Sequence, residues 1–81
     1  MSVIIRPMGI LKDYIGGKSE ITVEAGQTVR QVLITLNMPP EVVALVTVNE
    51  EQQSKDYLLQ DGDIVRLLAV IGGGNTILFK E

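Results

Sequence analysis

Apolar and polar positions alternate with a period of two over the first part of the chain. From Val3 to Met8, Val3 and Ile5 point to one side and Ile4 and Arg6 to the other, which predicts a strand. Pro7 lacks an amide donor and belongs at that strand's end. Glu20-Ile21-Thr22-Val23-Glu24 alternates cleanly, so a second strand turns Ile21 and Val23 to the core. Leu11 to Ser19 reads as the connection, with Gly16-Gly17 as its turn, and the two strands are expected to pair as an antiparallel hairpin. The period then changes. Val29, Val32, Leu33 and Leu36 fall at helical spacing and make one apolar stripe, with Ile34 at its margin. Thr28 is a natural N-cap and Gln31 completes a capping box. Asn37 suits a left-handed cap, and Pro39-Pro40 stop the helix.

The second half returns to strands. In Val43 to Asn49, Ala44, Val46 and Val48 share one face and Leu45 and Thr47 the other. Asn49-Glu50-Glu51 turns the chain, and Gln52-Gln53-Ser54 is a short edge strand. Leu58-Leu59 is an apolar plug ahead of the tight turn Gln60-Asp61-Gly62-Asp63, where Gly62 suits a positive φ. Asp63 to Val70 is the last long strand: Val65, Leu67 and Ala69 share a face opposite Ile64, Arg66 and Leu68. The order is β-β-α-β-(β)-β. A single helix covers only one face of such a sheet. The other face is expected to expose Ile4, Ile64 and Leu68, a candidate docking surface that includes Arg66.

Composition narrows the chemistry. With 81 residues the chain is one small domain with a thin core. It has no Cys, His or Trp, which closes most nucleophilic and zinc mechanisms to its own side chains. Asp13 and Tyr14 have no partner base. Gly16-Gly17 lacks a phosphate-loop fingerprint, and Glu50, Glu51, Asp61 and Asp63 match no calcium-loop spacing and read as solvated turns. No catalytic or metal-ligating residue is expected. A net charge of −3 argues against nucleic acid. No apolar run approaches the roughly 20 residues that span a bilayer, and Met1 to Arg6 does not begin a secretory signal, so a cytoplasmic, membrane-free protein is expected.

These features together resemble the ThiS/MoaD family of ubiquitin-like sulfur carriers. The resemblance rests on Ile21-Thr22-Val23, Gly26, Thr28-Val29, Pro39-Pro40 and Val46-Thr47-Val48-Asn49. Above all it rests on Leu59-Gln60-Asp61-Gly62-Asp63-Ile64-Val65 leading to Gly72-Gly73-Gly74. The long first hairpin is more like the MoaD branch than the ThiS branch. The resemblance implies an α+β, ubiquitin-like β-grasp: a mixed four- to five-stranded sheet with one main helix packed on one face. The first and last strands would lie parallel in mid-sheet. It also implies a carrier rather than an enzyme, with no bound cofactor. The C-terminal glycine carboxylate is activated with ATP by a partner adenylyltransferase of the MoeB/ThiF type. A sulfurtransferase or persulfide donor supplies sulfur to make a thiocarboxylate. A downstream synthase subunit then uses it in cofactor biosynthesis of the molybdopterin, tungstopterin or thiamine type. Gly72, Gly73 and Gly74 would enter the partner's active site, and Gly73 or Gly74 would carry the sulfur.

Glycine has no Cβ, so such a tail can thread a narrow channel. Yet this glycine run is not an end, because residues 75–81 follow it. Two outcomes stay open. In one, residues 1–74 are the working domain and a processing metalloprotease of the deubiquitinase type removes the extension. In the other, Gly74-Asn75 is a turn, Thr76 to Lys80 forms an extra strand, and the domain is a binding or subunit module.

Overall fold

The computed structural model describes residues 1–69. They form five strands and one α-helix: β1 (Ser2–Pro7), β2 (Ile21–Glu24), α1 (Val29–Thr35), β3 (Val43–Val48), β4 (Glu51–Gln53) and β5 (Ile64–Ala69). The strands form one sheet in the order β2-β1-β5-β3-β4. β1 and β2 are antiparallel, as their spacing predicts, while β1 and β5 run parallel side by side with Ile4 opposite Ile64 and Arg6 opposite Arg66. The last strand therefore lies in mid-sheet, as the resemblance implies, between β1 and β3.

One face of the sheet and the apolar stripe of α1 make the core. Val3, Ile5, Val46, Val48, Val65 and Leu67 from the strands pack with Val29, Val32 and Leu33 from the helix. Each such side chain, fully withdrawn from water, contributes about 1.5–3 kcal/mol before conformational entropy is charged against it. Ile34, at the margin of the stripe, is 60% exposed.

The start of α1 is fixed on several sides. Thr28 accepts a hydrogen bond from the Gln31 amide, and the Gln31 side chain accepts one from the Thr28 amide. The next orphan donors, the amides of Val29 and Arg30, reach the carbonyls of Tyr57 and Lys55. The helix start is thus tied to the segment at Lys55 and Tyr57 as well as capped by its own side chains. Asn37 takes a left-handed conformation at φ 60 and ends the helical path.

Several expectations need correction. The stretch after β1 is not plain connection: Gly9–Ile15 is a 3-10 helix that buries Leu11 and Ile15. A second 3-10 turn, Pro40–Val42, follows the helix stop. In β3 Val46 and Val48 face the core as expected, but at the start of the strand Val43 is the core residue and Ala44 is exposed. A register shift between Val43 and Leu45 inserts one residue, so the alternation changes phase there. The edge strand is Glu51–Gln53, one residue earlier than predicted, because Asn49 and Glu50 at φ 53 and φ 72 are the whole two-residue loop of the β3–β4 hairpin. Of the Leu58-Leu59 plug only Leu59 is buried; Leu58 faces outward. Asp63, expected in a solvated turn, is 6% exposed.

Among the described residues, no helix is long and apolar enough to cross a membrane, and no three acidic, Cys or His side chains gather as a metal site. The boundary drawn after residue 74 and the extension 75–81 lie outside the described residues.

Candidate functional site

The face of the sheet opposite α1 has no element over it among the described residues. Alternation along each strand places Ile4 and Arg6 of β1, Ile64, Arg66 and Leu68 of β5, and Leu45 and Thr47 of β3 on this face. All are half-buried except Arg66, which is exposed. The four predicted docking residues come together: Ile4 is the direct partner of Ile64, and Arg66 and Leu68 follow on the same side of β5. Arg6, Leu45 and Thr47 belong to the same surface and were not singled out. The signal was present, since Arg6 alternates with Ile5 as Ile4 does; only the pairing of β1 with β5 and β3 with β5 joins these residues into one patch.

Arg6 and Arg66 flank an open hollow of about 410 Å³, with Ile64 at its floor and Asn49 and Glu50 at the end nearest the β3–β4 turn. The Arg6 Nε lies 2.9 Å from the Glu20 Oε1, an ion pair that reaches across toward β2. Arg66 has no ion pair among the described residues.

A buried polar knot fixes the entry to β5. The Asp63 carboxylate accepts hydrogen bonds from the Asn49 side-chain amide at 2.9 Å, the Gln60 backbone amide at 2.9 Å and, more weakly, the Tyr57 hydroxyl at 3.3 Å. Asn49 completes the tie, because its side-chain oxygen accepts from the Ile64 amide and its own amide donates to the Ile64 carbonyl. The Tyr57 phenol is pushed up from its ordinary pKa, first by loss of solvent and then by the adjacent Asp63 carboxylate. Beside the knot, Gly62 at φ 89 lets the turn close on β1: its amide donates to the Ser2 carbonyl, and the Ser2 amide donates to Asp61. The turn motif that carried the resemblance thus clamps the first strand to the last.

β5 reaches Ala69 flanked on both sides. β1 pairs with it through Leu67 and β3 through Ala69. Along most of its length β5 therefore offers no open edge to a further strand. Gly72, Gly73 and Gly74 lie outside the described residues.

The ThiS family profile matches residues 5–74. No curated protein sequence matches the chain. Among solved structures, Urm1 from Trypanosoma brucei is 18% identical, with 90% of this chain and 95% of that chain aligned at a TM-score of 0.67. The chain is also similar to the complex of subunits 1 and 2 of molybdopterin-converting factor from Helicobacter pylori, at 22% identity, 91% and 100% coverage and a TM-score of 0.58. The BexX/CysO complex of Amycolatopsis orientalis matches at 24% identity, 89% and 99% coverage and a TM-score of 0.61. At such identities these likenesses speak for the fold, and the family match covers nearly the whole length. The chain belongs to the ThiS family and folds as a ubiquitin-like β-grasp domain.

Proposed function

We propose that this protein is a sulfur carrier whose terminal glycine, freed by removal of residues 75–81, is adenylated and converted to a thiocarboxylate. One observation carries the reading: the match to the ThiS family runs to residue 74, the last of the glycine run, and leaves only the extension beyond it. Family members are small carriers, and a carrier of this kind needs neither the Cys nor the His that this sequence lacks.

The chemistry is simple to balance. A protease adds water across the Gly73–Gly74 or Gly74–Asn75 peptide bond and frees a carboxylate. In a partner adenylyltransferase of the MoeB/ThiF type that carboxylate attacks the α-phosphorus of ATP, and pyrophosphate leaves. The terminal sulfur of a persulfide on a sulfurtransferase or persulfide donor attacks the acyl carbon, AMP leaves and an acyl disulfide forms. A second thiol then attacks the donor's sulfur, so that the donor is left as a disulfide and the thiocarboxylate is released. The carrier supplies a tail without side chains and a docking face of Ile4, Ile64, Arg66 and Leu68. The partner supplies orientation and charge stabilisation. The Helicobacter pylori and Amycolatopsis orientalis relatives are solved in complex with a second protein, which supports a role as one half of a transient assembly. A synthase subunit of the molybdopterin, tungstopterin or thiamine type is the matching recipient.

Intact mass spectrometry of the protein recovered from its own cells tests this. The expected species ends at Gly73 or Gly74 with one oxygen replaced by sulfur. A chain that always retains Glu81 overturns the reading and favours a non-catalytic binding module.

A further inference from the structure

We infer that the open face recognises a partner carboxylate set within an apolar surface, and that Arg66 is the cation that receives it. The inference rests on the carrier reading for the choice of partner enzyme, and on the geometry of the face for everything else.

Arg6 and Arg66 are direct partners on adjacent parallel strands. Strands lie about 4.8 Å apart, and like charges placed opposite one another destabilise a sheet. Half of this conflict is resolved inside the chain, because Glu20 holds Arg6 from the β2 side. Nothing among the described residues does the same for Arg66; its neighbour on the other side, in β3, is Thr47. Along its own strand Arg66 stands between Ile64 and Leu68, with Ile4 and Leu45 on the flanking strands.

That setting selects the partner's chemistry. A protein that covers the apolar residues must also withdraw Arg66 from water. A purely apolar partner would leave a desolvated cation unpaired, and a basic one would add repulsion. An acidic group held by apolar neighbours meets both needs, and a planar guanidinium can take a carboxylate in two parallel hydrogen bonds. Glu50 narrows the approach further. It lines the hollow at the Asn49 end, so an incoming carboxylate is repelled there and is directed to the Leu68 side of Arg66. That side lies toward Ala69, the last described residue of β5. The protein's net charge is −3, which makes a cation receptor on this face a local reversal of the overall sign.

The test is calorimetric binding of the full chain to the purified ThiF-type adenylyltransferase of the same organism. The wild-type chain is compared with Arg66→Lys, Arg66→Leu and Arg66→Glu, each checked for native circular dichroism. Arg66→Glu should weaken binding about 30-fold or more, Arg66→Leu nearly as much, and Arg66→Lys less. Reversing one acidic residue of the enzyme to Lys should restore Arg66→Glu. Equal affinity across the series overturns the proposal, as does failure of the wild-type chain to bind. In either case the mass spectrum decides the carrier reading independently. Self-association of the wild-type chain that Arg66→Glu abolishes would give the face to a second copy and overturn the proposal. Saturation of the site by sodium phosphate at millimolar concentration would make it a small-anion site, with the same consequence.

Discussion

Replacing Asp63 by Asn changes the buried knot by one atom and so isolates its acceptor count. The carboxylate of Asp63 offers two oxygens to three donors, the side-chain amide of Asn49, the backbone amide of Gln60 and the Tyr57 hydroxyl. An asparagine offers one oxygen and turns an NH2 group toward a donor. If its oxygen stays on Gln60, its NH2 faces the Asn49 amide. Flipping Asn49 moves the conflict to the Ile64 amide, which the Asn49 oxygen now serves. One donor of the knot loses its protein partner either way. A stranded donor costs about 1–3 kcal/mol, and the surviving bond loses its charge assistance, so the total loss should be about 2–3 kcal/mol. A domain of this size holds about 4–10 kcal/mol of stability and shifts about 4–8 °C per kcal/mol. The melting temperature should therefore fall by about 8–24 °C. Thermal unfolding followed by circular dichroism measures that fall, urea unfolding measures the free-energy loss, and a cycle with Asn49→Ala tests the mechanism. Coupling of about 1 kcal/mol or more is expected. A loss within about 0.5 kcal/mol of wild type, or strict additivity with Asn49→Ala, would refute the reasoning.

Two further outcomes follow from local geometry. Because the Tyr57 phenol has a raised pKa in the fold, the folded state keeps its proton where the unfolded chain loses it; the contribution is complete below the ordinary tyrosine pKa of 10.0 and is lost as pH rises through the higher folded value. The urea midpoint of the wild-type chain should then fall more steeply than that of Tyr57→Phe between about pH 9 and about pH 11, and parallel curves would exclude the effect. Thr28→Ala removes the side-chain half of the capping box while the Tyr57 and Lys55 carbonyls still hold the next two amides, so a loss of about 1 kcal/mol is expected in thermal unfolding, with amide exchange accelerated first at Gln31.

The sequence was most legible where one physical signal stood alone. Thr28 and Gln31 announce the helix start because few other arrangements use that pair at that spacing, and Gly62 announces its turn because the φ of 89 excludes most side chains. Val65 and Leu67 sort from Arg66 by plain alternation. The phase of β3 was not legible, since Val42, Val43, Ala44, Leu45 and Val46 are all apolar and the bulge among them leaves no mark in polarity. The 3-10 helix at Gly9–Ile15 is too short for its period to emerge, although Leu11 and Ile15 are its buried residues. Asp63 misled because an acidic residue beside Gly in a turn is ordinarily solvated; its burial depends on Asn49, which is brought to it by the β3–β4 hairpin. Alternation was enough to put Ile4, Ile64, Arg66 and Leu68 on one face, but Arg6 joined them only through the parallel register of β1 with β5.

That register also fixes when the molecule becomes recognisable. Ile4 and Ile64 come from opposite ends of the described chain, and β5 lies between two strands that precede it in sequence. Contacts between such distant segments carry the loop-closure entropy of nearly the whole described domain. A nascent chain still lacking its last strand has β1 and β3 but no shared surface across them. A partner that binds across both ends of the sequence therefore inspects completeness along with identity. A truncated or half-folded chain would present no such surface.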